Sequence, residues 1–506
     1  MKSNSFILIC IISFYSILSD AQNYVTLSPN ASSTEILKAA ISVRPSERQL
    51  AWQSMEYYAF IHFGINTFLG QEWSDGTADP AIFNPTELNA DQWVKTIKAA
   101  GMKGLILTAK HHDGFCLWPT KTTDYSVKSS PWREGKGDLV REVADACKHA
   151  GIKMGIYLSP WDRNHKTYGD TPAYNEVFRT QLTELLTNYG ELFEVWFDGA
   201  NGEGPNGKVQ QYDWESNYAL IRKLQPNAVI AIMGPDVRWC GNEAGKGRDP
   251  EWSVIPITAT SQKIIAANSQ QKAGTGIFIP KDATGTDLGS RNLLLNSPAL
   301  IWYPSEVDTS IRPGWFYHAD QDDKVKTPEK LEQIYYSSIG MNASLLLNIP
   351  PDKRGLIHEN DIKNLMLFKE RMSNTFKDNL ALLARFSTKQ TVSKTSLKLL
   401  TDGNNLTYWT TKKEDTTAVL ELKFHTPQVF DRLLLQENIR EGQRVESFTL
   451  DIFENGNWKQ ITEGKTIGYK RILSFSKVTA KKIRFRIIRA RSCPQISEFG
   501  LYNSPE

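Results

Sequence analysis

Between about residues 50 and 235 the chain alternates apolar strands with amphipathic helices, and this constrains its fold more than any other feature. Tyr58–Ile65 predicts a strand, and Asp91–Ala100 a helix opened by Asn89-Ala90-Asp91. Gly104–Ala109 predicts a second strand, and Leu139–His149 a helix closed by Gly151. Lys153–Leu158, Leu192–Phe197 and Ala228–Ile232 continue the strands, with Asn175–Tyr189 and Tyr212–Leu224 as intervening helices. Strand starts recur every 35 to 50 residues, the period of βα units in a parallel sheet. No glycine-rich fingerprint follows the first strand, which disfavours a nucleotide-binding sheet. The fold class that remains is α/β, a (β/α)8-like barrel.

A barrel puts its functional residues at the C-terminal ends of its strands. Here His111, His112 and Asp113 follow Leu105-Ile106-Leu107, and Ser159-Pro160-Trp161-Asp162 follows Ile156-Tyr157-Leu158. Asp198 follows Val195-Trp196-Phe197, and Gly234 follows Ile230-Ala231-Ile232. After about Leu380 helical periodicity disappears. Short alternating segments such as Thr417–Phe424, Phe448–Phe453 and Lys482–Ile488 take over, separated by turn signals at Asp402-Gly403 and Glu454-Asn455-Gly456. This texture predicts a C-terminal β-sandwich. The expected organisation is a signal peptide over 1–21, a catalytic barrel domain over 22–380 and the sandwich over 381–506.

The N-terminal assignment rests on Lys2, on the apolar run Phe6 to Leu18, too short to span a bilayer comfortably, and on Ser19 and Ala21 at a cleavage site. No Cys follows that site, so no lipid or membrane anchor is expected, and the protein should be exported to the periplasm or secreted. A formal charge of +3 over 506 residues supplies no basic field for nucleic acid. Cys10 leaves with the signal; Cys116, Cys147, Cys240 and Cys493 lack C-x-x-C spacing and read as four buried free thiols rather than a disulfide framework or a zinc site. Oligomeric state is not legible.

Asp198 ends a buried strand, and the loop Asn201-Gly202-Glu203-Gly204-Pro205 follows it, so it is not simply capping a helix. A carboxylate in a barrel mouth suits nucleophilic attack on a glycoside. A retaining glycosidase needs a second carboxyl group about 5 Å away to protonate the leaving oxygen and then activate water. Glu203, Glu215, Asp236, Glu243 and Glu251 are candidates by position. Glu243 is preferred because Cys240-Gly241-Asn242-Glu243-Ala244-Gly245 reads as a loop at the same barrel face, whereas Glu215 lies in a helical pattern. Adjacent histidines on an extended segment point in opposite directions, so His111 and His112 do not read as a metal site. They, with His62 of the first strand, read as hydrogen-bonding partners for sugar hydroxyls or as packing. No G-x-S-x-G elbow is present, and Ser159 precedes proline.

Phe60-Ile61-His62-Phe63-Gly64, Glu72-Trp73, Lys110-His111-His112-Asp113-Gly114-Phe115 and Trp196-Phe197-Asp198-Gly199 together resemble glycoside hydrolase family 29, the retaining α-L-fucosidases. The resemblance spans about residues 45 to 355. It implies Asp198 as nucleophile, and His62, Glu72, Trp73, His111 and His112 around the fucose. It further implies Tyr157 near the nucleophile, and Trp118 and Trp315 as aromatic walls of the pocket. Gly64-Ile65-Asn66-Thr67-Phe68 and Glu72-Trp73-Ser74-Asp75-Gly76 resemble the subfamily acting on branched α-1,3/4-linked fucose. There the acid/base glutamate lies in a segment similar to Arg238-Trp239-Cys240-Gly241-Asn242-Glu243, which agrees with Glu243. Leu435-Gln436-Glu437-Asn438-Ile439 and Ile496-Ser497-Glu498-Phe499 resemble a discoidin-type, carbohydrate-binding-module-like domain, read here as a buttress because no cluster of exposed aromatics announces a binding face.

The expected chemistry is double displacement on a fucosylated oligosaccharide or glycoconjugate, with no cofactor and no metal. Burial or the Asp198 charge is expected to keep Glu243 protonated in the free site. The alternatives are a barrel glycosidase for another sugar and a non-catalytic glycan-binding protein.

Overall fold

The computed structural model describes residues 22–269, 286–390 and 392–505, so the segment read as an export signal, with Cys10, lies outside the described residues. Eight parallel strands form a barrel: β1 Tyr57–Ile61, β2 Gly104–Lys110, β3 Lys153–Leu158, β4 Leu192–Phe197, β5 Val229–Ile232, β6 Arg238–Trp239, β7 Ser305–Ser310 and β8 Ala343–Asn348. Their order is β5-β4-β3-β2-β1-β8-β7-β6. At the seam between β5 and β6, Ala231 and Val237 form a parallel bridge. The Ile232 amide donates to the Val237 carbonyl there at 3.1 Å.

The outer helices begin and end where local chemistry dictates. Helix α1, Ala90–Ala99, starts because the Asn89 side chain accepts the Gln92 amide at 2.9 Å. Helix α2, Leu139–Ala150, is capped by Asp138 and stopped by Gly151 at φ 68°. Helices α3, Thr171–Asn188, and α4, Trp214–Leu224, follow β3 and β4. Helices α5, Pro328–Ser337, and α6, Glu359–Thr375, follow β7 and β8. The first predicted strand is too long: β1 stops at Ile61, and Ile65–Leu69 forms a short helix whose buried Ile65 mimics a strand position. No helix separates β5 from β6, and the two-residue β6 carries no periodic signal.

Alternation along the strands divides the apolar residues into two cores. Tyr57, Ala59 and Ile61, Leu105 and Leu107, Val195 and Phe197, and Leu345 and Leu347 pack outward under the helices. Tyr58, Phe60, Ile106, Trp196 and Leu346 fill the barrel. The inward series ends at the mouth in polar groups two residues on: Phe60 to His62, Trp196 to Asp198, Leu346 to Asn348.

The barrel floor holds a buried carboxyl pair. Trp52 Nε1 donates to Glu194 at 2.8 Å, and Trp196 Nε1 donates to Glu306 at 2.6 Å, with the Tyr58 hydroxyl on the other Glu306 oxygen. Burial and the neighbouring Glu306 push the Glu194 carboxyl well above the usual range, and burial raises Glu306 as well.

The C-terminal body is an antiparallel sheet of seven strands around its own core. Two of them, Ala418–Glu437 and Arg471–Ala490, are 20 residues long, and their mutual register breaks between Lys423 and Gln428 and between Phe430 and Arg432. Such breaks bend long strands, so Leu420 and Leu422 from one half of the first share a core with Leu433 and Leu435 from the other. At the predicted turn, Asn455 (φ 51°) and Gly456 (φ 81°) close the Glu454–Asn457 hairpin. Polar contacts tie this body to the barrel: Lys470 Nζ to Glu56 at 2.6 Å, Arg471 to Asp249 at 3.0 Å, and the Ser253 amide to the Gln443 side chain at 2.8 Å. Cys116, Cys147 and Cys240 are buried free thiols, but Cys493 is only half-buried, because its strand connection lies at the surface near Arg444.

Candidate active site

The strand ends open into a cavity of about 950 Å³. Asp198 stands in its wall with its carboxylate fixed at both oxygens. The Ala200 amide donates to Oδ1 at 2.8 Å, and the Tyr157 hydroxyl donates to Oδ2 at 3.0 Å. Burial, with the charge and hydrogen bond of Asp198, pushes the Tyr157 phenol well up, so it stays a donor. The Asp198 side chain retains 23% exposure and lines the cavity. Glu243 lines the same cavity, where the Trp315 indole donates to it at 3.3 Å.

Three neutral histidines face this space. Asn348 donates its amide hydrogens to Ser310 Oγ at 2.9 Å and to the Trp315 carbonyl at 2.7 Å, which turns its oxygen toward His62 Nδ1 at 2.8 Å. His62 therefore carries its proton on Nδ1 and offers the Nε2 lone pair. Burial pushes its pKa down to about 3. Ser159 spends its proton on the Trp161 carbonyl at 2.7 Å, so it accepts from His112 Nδ1 at 2.8 Å and leaves His112 Nε2 3.6 Å from Asp198. Burial lowers His112, with the Asp198 charge pulling the other way, and it lowers His111 well below the ordinary range.

The rest of the Lys-His-His-Asp-Gly-Phe segment is scaffold. Lys110 is fully buried against Asp162 at 3.1 Å, Tyr174 at 2.9 Å and Gln181 at 3.0 Å. Asp113 accepts the Phe115 amide at 2.7 Å, and burial raises its pKa to about 7. Gly114 sits at φ 88°, and a Cβ there would meet Asp162 Oδ1 at 2.3 Å. Glu72 organises the opposite rim: the Trp315 amide reaches it at 2.8 Å and His318 Nε2 at 2.6 Å.

A family model described as Alpha-L-fucosidase matches residues 53–373, and one described as F5/8 type C domain matches 385–499. The chain belongs to the α-L-fucosidase family. It is 43% identical to Alpha-L-fucosidase 1 of Arabidopsis thaliana over 97% of this chain and 92% of the relative. A glycoside hydrolase 29 family member from an unknown rumen bacterium superposes with a TM-score of 0.76 at 41% identity, over 92% of this chain and 78% of that one. The Ruminococcus gnavus GH29 fucosidase in complex with fucose gives 0.80 at 32% identity, over 92% and 95%.

In this fucosidase the cavity gathers His62, Glu72, Trp73, His111, His112, Tyr157, Asp198, Glu243 and Trp315. Trp118 is a correction: it is 2% exposed in the core under the helices, its indole donating to Glu184 at 2.8 Å, because the chain turns inward after the motif. Trp161 does line the cavity, packing at 5.1 Å from His112 and edge-on to Trp73 at 5.6 Å. The opposed-histidine expectation also fails. The strand stops at Lys110 and the chain turns, with the Gly114 amide on the His111 carbonyl at 3.0 Å, so both rings reach the cavity 4.3 Å apart. Among the described residues no group of three or more His, Cys, Asp or Glu could hold a metal ion.

Of the rival carboxylates, Glu215 is exposed on α4. Asp236 is taken up by Arg48 and Arg222, and Glu251 by Arg238. Glu203 lines the cavity from the loop after β4. Sequence reasoning missed Asp308 and Trp239, which also line it. No local signal marked Asp308, because its strand, Ser305–Ser310, carries too few apolar residues to read as one.

Proposed function

We propose that this fucosidase is a retaining enzyme that releases terminal α-1,3/4-linked L-fucose from branched, Lewis-type glycans by double displacement. The observation that carries this reading is the immobilised, cavity-facing Asp198 carboxylate, with Glu243 held by Trp315 in the same cavity. Asp198 attacks the anomeric carbon as the bond to the departing glycan oxygen breaks, and Glu243 gives that oxygen its proton. Water then attacks the fucosyl-enzyme ester while Glu243 takes its proton back, and two inversions preserve the anomer. The neutral histidines suit fucose hydroxyls, because a lone pair on His62 Nε2 accepts a hydroxyl hydrogen without a competing charge. The fucose complex of the Ruminococcus gnavus relative supports the same sugar. The α-1,3/4 preference rests on the Gly64–Phe68 and Glu72–Gly76 segments, and export on the N-terminal segment. The C-terminal body acts as a buttress, supported by its polar contacts with the barrel.

The test pairs a Lewis-type trisaccharide with an aryl α-L-fucoside, following the first-formed anomer by NMR. Release of α-L-fucose from both is expected; β-L-fucose first would overturn retention, and release from the aryl substrate alone would overturn the branched preference. Glu243→Ala should lose on the order of 10²- to 10⁴-fold on the trisaccharide and much less on an aryl fucoside with a good leaving group. Equal losses on both would remove the acid role.

A further inference from the structure

The cavity holds a third carboxyl group with a supporting frame of its own. Asp308, on β7, points inward two residues beyond Glu306 and is 4% exposed. The Trp239 indole donates to its Oδ1 at 2.8 Å, as the Trp315 indole does to Glu243. Trp239, the last residue of β6, lies four residues before Glu243, so β6 and the segment that follows it supply both the tether of Asp308 and the acid/base candidate. All four side chains line the same cavity.

We infer that Asp308 is a positioning residue for the acid/base step, its carboxyl and that of Glu243 forming a coupled pair that holds one proton between them in the cavity. This inference rests on the reading of Glu243 as acid and base. Two carboxyls that feel each other's charge in one cavity cannot both ionise cheaply, so the last proton of such a pair leaves only at raised pH and belongs to the pair rather than to either residue. Burial and the Glu243 charge hold Asp308 well above the usual carboxylate range. Among the charged groups nearby, the buried Arg248 opposes the Asp308 charge at the Cys240 thiol. Glu306 below it is another carboxyl, and the Cys240 thiol is pushed up, after burial, by Asp308 itself. Leu346 is its β8 neighbour, and the Arg238 guanidinium on β6 is taken up by Glu251.

In the first half-reaction the pair gives its proton through Glu243 to the departing glycan oxygen. The doubly ionised pair that results is a stronger base than Glu243 alone, and it recovers a proton from the water that attacks the fucosyl-enzyme. Asp308 touches neither the sugar nor the leaving group in this scheme.

The experiment is the pH profile of kcat/KM on the branched trisaccharide for the wild type, Asp308→Asn and Trp239→Phe. Asp308→Asn keeps an oxygen for the Trp239 indole and removes the second titrating group. The basic limb should move down by about one unit or more, giving about a tenfold loss on that limb with a far smaller one at the acidic optimum. Trp239→Phe removes the hydrogen bond that favours ionised Asp308, so its basic limb should move up. Opposite shifts from two variants of one cluster are not the signature of general damage, and Trp239→Phe keeps the test alive should Asp308→Asn fold poorly. A basic limb unmoved in either folded variant, or a uniform loss at every pH, overturns the inference. The reading of Glu243 fails separately, when Glu243→Ala loses equally on good and poor leaving groups.

Discussion

The floor and the mouth of the barrel are built from the same strands, and both carry buried or half-buried carboxyls, yet they do opposite things. On β4 the inward positions run Glu194, Trp196, Asp198, and on β7 they run Glu306, Asp308. At the floor, indoles from Trp52 and Trp196 and the Tyr58 hydroxyl occupy three of the four carboxyl oxygens, and apolar side chains close the space. At the mouth the same geometry opens on a cavity, and each carboxyl is held at one or two points with room for a ligand beside it. One turn of the alternation thus separates a group that stabilises a fold from one that can react. Carboxyl chemistry is common to both ends; access makes the difference.

Asp198→Ala breaks the comparison most severely. Turnover should fall on the order of 10⁴-fold or more, as when a covalent nucleophile is removed elsewhere, while melting temperature changes little. Adding azide should restore turnover and yield the fucosyl azide of inverted configuration; near-wild-type kcat without azide would end the nucleophile assignment.

At the floor the pattern should reverse. Glu306→Ala strands the Tyr58 hydroxyl and the Trp196 indole, a cost of about 3 kcal/mol or more for two buried unsatisfied donors, read in a denaturant titration. The pH dependence sharpens this contrast. Because the folded pKa of Glu194 is raised above its unfolded value, its contribution to stability is fully present below about pH 4 and is lost as pH rises toward the folded pKa. Glu194→Gln mimics the protonated form, so its melting temperature relative to wild type should improve from pH 5 to pH 8. A constant difference would show that the floor pair carries no excess proton.

The smallest effect is expected at Trp118. Trp118→Phe loses one hydrogen bond to Glu184, about 1 kcal/mol, and should leave KM for an aryl fucoside unchanged. Trp161→Ala should raise KM instead; a KM effect at Trp118 equal to that at Trp161 would reinstate Trp118 at the pocket.

Much of this architecture was legible beforehand. The strands β3 and β4 fall on the predicted residues, α1 opens at the predicted Asn89 and α2 closes at the predicted Gly151, because periodicity and capping are local. The strands β6, β7 and β8 were not located. The first is two residues long, and the second mixes Glu306 and Asp308 into buried positions that no apolar pattern marks; the third holds only the short run Leu345-Leu346-Leu347, which fits helix or strand alike. The small antiparallel sheet of Tyr24–Thr26, Ala299–Trp302 and Val254–Pro256 joins segments far apart in sequence and left no local trace.

By itself the sequence determined the order of βα units, the switch to antiparallel strands after the barrel, and the motifs that point to Asp198, the histidines and the fucosidase family. These are encoded by neighbours along the chain. Only the tertiary structure decided which side chains share one cavity. It turned His111 and His112 to the same face, buried Trp118 under the helices, brought Trp161 in beside His112, and placed Asp308 and Trp239 with Glu243. Each of those outcomes depends on where separate strands end relative to one another, and that is set by barrel closure rather than by any window of sequence.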